Sequence, residues 1–84
     1  MEDVVRCILA AQARLSVDVS TLAESTDLYA SGMSSYATVG VMLALEEAFG
    51  VEFPDELLRR ETFSSIARIK AAVTELQSPF DGGF

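Results

Sequence analysis

Several residue types on which enzymes depend are missing or nearly missing from this 84-residue chain. Histidine is absent, and Cys7 and Lys70 are the only cysteine and the only lysine. Without histidine, a Ser/His/Asp or Cys/His arrangement has no general base, and a Cys/His zinc site has too few ligands. A single cysteine excludes an internal disulfide and suits a reducing compartment. The composition therefore predicts a protein that is not an enzyme and has no metal site.

Basic residues are also scarce, since six of them face 13 acidic residues and give a formal net charge of -7. Neutralising phosphates requires clustered lysine and arginine, which argues against a nucleic acid or an anionic membrane surface as the partner. Half of the residues are hydrophobic, unlike those of a disordered acidic tail. No apolar run is long enough to cross a bilayer, and the first residues are acidic where a secretory signal is basic. A cytoplasmic location is therefore expected.

Apolar residues recur at helical spacing in three segments, which predicts an all-α bundle of three main helices plus one short helix. The segments predicted to be helical are residues 2–15, 35–49, 55–60 (the short helix) and 63–76. Together they define one predicted domain over residues 1–76. Residues 77–84 contain one proline and two glycines and are predicted to form a flexible tail.

The second predicted helix has clear end signals. Ser34 or Ser35 can cap its N-terminus, and Gly50 suits its C-terminus. Thr62 can cap the third helix. Residues 16–33, before the second helix, follow no regular period and form an unusually long predicted loop. The side chains expected to be at least partly buried outside the main helical stripes are Cys7, Val19, Leu22, Leu28, Leu57 and Leu58.

The second predicted helix is apolar on two faces. One stripe, sufficient to bury the helix, consists of Thr38, Val41, Met42, Leu45 and Phe49. A second line, formed by Tyr36, Val39 and Leu43, points roughly 60–100° away from the first. Either the first helix or the long loop covers this line, or the line is a docking patch for another protein. Tyr36 suits a docking patch because its ring is apolar and its hydroxyl tolerates water.

Two adjacent serines lie at the start of this helix. A helix N-terminus presents unpaired N–H groups and partial positive charge, so it tolerates a phosphate. At least one of Ser34 and Ser35 is expected to act as the cap. Carboxylate pairs elsewhere, such as Glu46-Glu47, are interpreted as a solvated acidic face because adjacent helical residues point apart.

Four segments resemble the acyl carrier protein family. In chain order they read Asp-Leu-Tyr at 27–29, Gly-Met-Ser-Ser-Tyr at 32–36, Ala-Leu-Glu-Glu-Ala-Phe-Gly at 44–50 and Val-Glu-Phe-Pro-Asp at 51–55. In that family, a serine that opens the second helix carries 4'-phosphopantetheine through a phosphodiester, and the thiol of this arm holds an acyl group as a thioester. Counting back from Ala44 without a gap aligns Ser35 with the modified serine. The partner-binding residues implied by the resemblance are Ser34, Tyr36, Val39, Leu43 and Glu47.

Within the family, the chain is most similar to small stand-alone aminoacyl carrier proteins. Ser34, Ala37 and Gly40 occupy positions that are often acidic in fatty-acid carriers, which weakens the expected recognition by fatty-acid enzymes. The resemblance implies two partners: a phosphopantetheinyl transferase that uses coenzyme A, and an amino acid:[carrier protein] ligase resembling a truncated class II seryl-tRNA synthetase. It also implies a monomer. The alternatives are a fatty-acid or polyketide-type acyl carrier and an unmodified acidic helical adaptor.

Overall fold

Three α-helices make up the main architecture of the computed structural model, which describes residues 1–77. The helices are α1 (Glu2–Gln12), α2 (Ser35–Phe49) and α3 (Ile66–Gln77), and short 3-10 turns lie at Val19–Thr21, Asp55–Leu57 and Arg60–Phe63. No strand occurs within these 77 residues. The predicted all-α fold is therefore confirmed. Most of the predicted tail, residues 78–84, lies outside the described residues, and the domain boundary stays a prediction.

Helix α2 has the bounds that its sequence predicts because both of its ends are specified locally. At the N-terminus, the Ser34 Oγ accepts a hydrogen bond of 3.0 Å from the Ala37 N–H. At the C-terminus, Gly50 takes the left-handed conformation, with φ at 65°, and its N–H donates to the Glu46 carbonyl. A residue with a side chain would adopt that conformation at a cost, so glycine stops the helix cleanly.

The other two α-helices are shorter than predicted. Helix α1 ends before Arg14, whose φ of 55° turns the chain out of the helical path. Helix α3 begins at Ile66 rather than Phe63 because residues 60–63 form a 3-10 turn. The prediction that Thr62 caps α3 is wrong: the Ser65 Oγ accepts the hydrogen bond from the Arg68 N–H, at 3.1 Å. Phe63 therefore ends the 3-10 turn, and residues 64–65 connect this turn to α3.

The core lies where the three helices meet the long loop. Its fully buried large side chains are Val5, Leu9, Leu28, Val41, Leu45, Ile66, Ile69 and Val73. Two positions predicted to be at least partly buried are wrong, since Leu58 is 48% exposed and Cys7 is exposed on α1. Leu58 directly follows a 3-10 turn that buries Leu57 partly, so its side chain faces solvent instead.

The loop between α1 and α2 is held to the body at several points. Leu28 is fully buried, and its N–H donates to the Ser64 carbonyl at 2.8 Å. The Arg6 Nη1 donates to the Val19 carbonyl at 2.8 Å, and Val19 itself is buried. Gly32 has a φ of 117°, which a side chain would strain, and it passes close to the backbone of Ser16. These contacts set the position at which the chain enters α2.

Replacing the central loop anchor should destabilise the fold strongly. Leu28→Ala leaves a cavity at a fully buried position, so we expect the free energy of unfolding to fall by about 2–5 kcal/mol. Urea denaturation followed by circular dichroism measures this loss. Val17→Ala is the matched control because Val17 lies in the same loop and is 46% exposed; it should change stability by less than about 0.5 kcal/mol. Equal effects of the two substitutions would contradict the anchoring role of Leu28.

A charged network ties the first turn of α1 to the loop and to α3. The Lys70 Nζ lies 2.9 Å from the Glu2 Oε1 and 2.6 Å from the Glu24 Oε2, while the Arg6 Nη2 lies 2.8 Å from the Glu2 Oε2. Hydrogen bonding with Glu24, Lys70 and Arg6 lowers the pKa of Glu2 from 4.5 to about 2. Hydrogen bonding with Glu24 and Glu2 raises the pKa of Lys70.

This network should make the folded state less stable as the pH falls below 4.5. Because the pKa of Glu2 is lower in the folded state, its contribution is present above pH 4.5 and is lost as the pH falls toward about 2. Because the pKa of Lys70 is raised in the folded state, its contribution to stability is fully present below pH 10.5 and is lost only as the pH rises above that value. Thermal unfolding of the wild type and of Glu2→Gln should therefore give Tm values that converge as the pH falls from neutral to 2. A constant difference across that range would contradict this role of Glu2.

Candidate attachment site and docking surface

Ser34 and Ser35 have different roles at the start of α2. Ser34 is the N-cap, because its Oγ accepts from the Ala37 N–H and its carbonyl oxygen accepts from the Thr38 N–H. Ser35 is the first residue of the helix, and its side chain is exposed. Its hydroxyl is therefore accessible at the positive end of the helix, where a phosphate ester is favoured. Both serines are therefore exposed, and Ser34 is the one whose Oγ accepts the capping hydrogen bond.

The second apolar line of α2 is uncovered. Tyr36 is 88% exposed, Val39 52% and Leu43 54%. The interpretation that α1 or the loop covers this line is therefore wrong within residues 1–77. We call the surface formed by Tyr36, Val39 and Leu43 the α2 patch. Three large exposed apolar side chains on consecutive turns are typical of a protein-binding surface.

The end of α1 borders this patch. Gln12 and Arg14 line a shallow depression of about 320 Å³ together with the patch residues. Gly40 permits the close approach of the two helices, since a Cβ at that position would lie 3.1 Å from the Gln12 Oε1. The surface beside the α2 patch is therefore polar and carries one cationic side chain.

The two glutamates near the end of α2 also differ. The Glu46 Oε2 accepts a hydrogen bond of 2.9 Å from the Phe53 N–H, so this carboxylate fixes the chain after the helix. Glu47 is exposed and lies one helical turn after Leu43. Among the predicted partner-binding residues, Glu47 therefore adds an accessible negative charge at the far end of the α2 patch, and Ser34 lies at its near end.

A cleft of about 430 Å³ opens on the other side of Ser35. Its lining residues are Tyr29, Ser35, Thr38, Val39, Met42, Leu58, Arg59, Arg60 and Phe63. The Arg60 guanidinium stacks 3.9 Å from the centre of the Tyr29 ring, and the Tyr29 hydroxyl donates to the Arg60 carbonyl at 3.1 Å. This cleft is not predicted from the sequence. Its only signal in the sequence is the Arg59-Arg60 pair, which interrupts an acidic run.

The surroundings of Ser35 fit a covalent phosphopantetheine arm. The exposed hydroxyl can form a phosphodiester, and the helix end beside it favours negative charge. The adjacent cleft combines apolar walls, such as Val39 and Met42, with the arginine side chains. An arm with a phosphate at one end and apolar and amide groups along its length is compatible with such surroundings.

Comparison with known proteins also points to phosphopantetheine attachment. Residues 3–73 match the family model described as the phosphopantetheine attachment site. The chain is also 49% identical over 73 residues to the aminoacyl carrier protein of Agrobacterium fabrum, covering 87% of this chain and 88% of that protein. The family match at residues 3–73 includes all of α2 and most of α1 and α3, so it covers the same helices that define the fold.

Solved structures agree with the sequence matches. Two crystal structures hold an engineered Bradyrhizobium japonicum glycine:[carrier protein] ligase complexed with a carrier protein from Agrobacterium tumefaciens, one with AMP and one with ATP. Their matched chains have TM-scores of 0.86 and 0.85 and identities of 49% and 47%. In both cases the match covers 88% of this chain, and it covers 99% and 96% of the matched chains. The chain belongs to the carrier protein family defined by the phosphopantetheine attachment site, and it is a homologue of aminoacyl carrier proteins that carries 4'-phosphopantetheine and does not itself catalyse a reaction.

Proposed function

We propose that Ser35 is the attachment residue and that this protein presents an aminoacyl group to partner enzymes. The observation that carries the proposal is the difference between two exposed serines: the Ser34 Oγ accepts the N-cap hydrogen bond from the Ala37 N–H, whereas the Ser35 Oγ does not have this role. When bound, the arm would supply a thiol that holds the aminoacyl group as a thioester. The protein body needs no general base for this function, since separate enzymes modify and load it.

The side chains around Ser35 have positioning roles in this proposal. The Ser34 cap holds the first turn of α2, which keeps the Ser35 hydroxyl at a fixed place on the surface. Buried Met33 anchors the chain just before the cap. Leu28 and Gly32 bring the loop to this point through contacts with Ser64 and Ser16. A transferase or ligase would therefore meet the hydroxyl, or the arm attached to it, in one orientation.

We further propose that the α2 patch binds the partner enzymes. It begins next to Ser35, so an enzyme that covers Tyr36 also has its active site near the arm. Val39 and Leu43 extend the apolar contact along the helix, and Glu47 offers a negative charge at its end. Such an arrangement is typical of interfaces in which an exposed aromatic anchor is surrounded by smaller apolar and polar contacts.

An amino acid:[carrier protein] ligase is the proposed loading partner. The support is the similarity to carrier proteins seen in complex with a glycine:[carrier protein] ligase. A phosphopantetheinyl transferase is the proposed modifying partner, because the arm must come from coenzyme A. We also propose that the protein is a cytoplasmic monomer, since ATP-dependent loading and visits to several enzymes suit a small carrier with a net charge of -7.

Parallel loading reactions test the proposed cargo. The protein carrying the arm is incubated with single amino acids, ATP and an amino acid:[carrier protein] ligase, and separately with malonyl-coenzyme A and a malonyl transferase. We expect an increase in intact mass equal to one aminoacyl residue in the first reaction and no increase in the second. Loading by malonate alone would instead identify a fatty-acid or polyketide-type carrier. The same protein without the arm is the control and should gain no mass in either reaction.

A further inference from the structure

The cleft beside Ser35 has an unusual charge distribution for so acidic a protein. Its charged lining residues are Arg59 and Arg60, and no carboxylate of residues 1–77 lines it. The remaining walls are largely apolar and include Val39, Met42 and Leu58. The cleft therefore offers an apolar surface to a flexible chain and positive charge to an anion, but it offers no counter-ion to a cation.

Both arginines are held in place by contacts other than ion pairs. Arg60 stacks on Tyr29 at 3.9 Å, and the Tyr29 hydroxyl binds the Arg60 carbonyl. The Arg59 Nε donates to the Glu56 carbonyl at 2.8 Å. Neither guanidinium forms a salt bridge with a carboxylate of the described chain. Their positive charges are therefore available to a group that enters the cleft.

The occupant that best fits this cleft is tethered at its rim. Ser35 lines the cleft, so an arm attached to the serine hydroxyl can reach it without a second molecule. The phosphodiester is an anion that the arginines attract, and the apolar walls suit the hydrocarbon parts of the arm. Tethering also raises the effective concentration of the arm at the cleft, so a weak contact is sufficient.

An aminoacyl group makes the cleft less favourable for the arm because it brings a positive charge. At neutral pH the α-amino group of a carried amino acid is largely protonated. Inside the cleft, this ammonium would meet no carboxylate of residues 1–77 and would share the cleft with two guanidinium groups. Placing a positive charge beside two like charges is unfavourable. A neutral group of the same size would not meet this penalty.

We infer that the cleft is a resting place for the unloaded arm and that Arg59 and Arg60 expel the arm once it carries an aminoacyl group. This inference rests on the proposed attachment at Ser35. The protein would then keep its free thiol arm against its own surface and leave the loaded arm in solvent for the next enzyme. The charge of the cargo, rather than its size, would decide between the two positions.

A pair of isosteric cargoes tests the inference. Glycyl and propionyl groups differ mainly in that an ammonium replaces a methyl group, and both can be attached to the arm as stable amide analogues. Intact mass first verifies that each arm is attached at Ser35. NMR then records the methyl signals of Val39, Met42 and Leu58, and NOEs from the arm to these methyl groups, in the apo, unloaded, propionyl and glycyl forms.

We expect the unloaded and propionyl arms to shift these methyl signals and give NOEs, and the glycyl arm to give apo-like signals without NOEs. Replacing both arginines in Arg59→Gln/Arg60→Gln should let the glycyl arm enter the cleft. The lysine pair Arg59→Lys/Arg60→Lys keeps the charges and should still exclude it. Arg68→Gln is the matched control, since Arg68 does not line this cleft, and it should behave like the wild type.

The outcomes separate this inference from the proposed function. Equal NOEs from the glycyl and propionyl arms in the wild type would overturn expulsion by charge. Absence of NOEs from every arm would overturn the resting place, while attachment at Ser35 would still stand. Failure of the transferase to add any arm to Ser35 would overturn both proposals. A circular dichroism spectrum and Tm close to those of the wild type verify that the glutamine variant is folded.

Discussion

Ser35→Ala is expected to abolish addition of the phosphopantetheine arm completely. The reaction forms a phosphodiester to a hydroxyl oxygen, and alanine offers no such atom. The substitution should leave the fold intact, because the Ser35 side chain is exposed and Ser34 supplies the capping oxygen. Intact mass after incubation with coenzyme A and a broad-specificity phosphopantetheinyl transferase measures the result. The wild type should gain one arm, and the variant should keep its polypeptide mass.

Ser34→Ala is the matched control for this result. It removes the neighbouring hydroxyl and the N-cap hydrogen bond, so we expect a loss of about 1 kcal/mol in the free energy of unfolding. Modification should nevertheless go to completion, because the acceptor oxygen on Ser35 remains. Loss of modification in Ser34→Ala together with its retention in Ser35→Ala would reverse the assignment of the two serines.

Tyr36→Ala is expected to impair loading by the ligase without unfolding the protein. Tyr36 is 88% exposed and starts the α2 patch beside Ser35, so its ring is the largest side chain available to a partner. Truncating an aromatic anchor at an interface costs on the order of 1.4–2.8 kcal/mol, which corresponds to roughly a 10- to 100-fold fall in kcat/KM for loading. The assay follows transfer of an amino acid to the protein that carries the arm.

Two controls separate a docking role from a general loss of structure. The Tm of Tyr36→Ala should stay close to that of the wild type, since exposed positions contribute little to stability. Val17→Ala truncates another exposed apolar side chain, 46% exposed and located in the loop, and it should load normally. Normal loading of Tyr36→Ala at subsaturating carrier concentration would show that the α2 patch is not the ligase surface.

Much of the fold follows from local signals in the sequence. Helix α2 has its predicted bounds because Ser34 and Gly50 each satisfy a specific need of a helix end. The apolar line of Tyr36, Val39 and Leu43 is predictable from periodicity, but its exposure is decided by the structure, since the sequence allows α1 or the loop to cover it. The resemblance predicts Ser35 as the attachment serine, because the segment from Ala44 to Asp55 fixes the alignment back to it, and this assignment stays a proposal.

Other features depend on contacts that no local pattern encodes. Thr62 and Ser65 are both plausible caps in sequence, and the choice depends on the 3-10 turn at Arg60–Phe63. Leu58 is apolar but half exposed because that irregular segment has no helical period to orient it. The cleft beside Ser35 forms only when this segment packs against α2. Arg59 and Arg60 are visible in the sequence, but their position beside Ser35 is not predictable from it.

Intact mass in a two-step reaction tests whether this protein carries an aminoacyl group on an arm at Ser35. Coenzyme A and a phosphopantetheinyl transferase are added first, followed by an amino acid, ATP and an amino acid:[carrier protein] ligase. We expect a gain of one arm and then of one aminoacyl residue, and hydroxylamine should reverse the second gain, as it does for a thioester. A protein that gains no arm, or that gains an arm but accepts no amino acid from any such ligase, would rule out the proposed function.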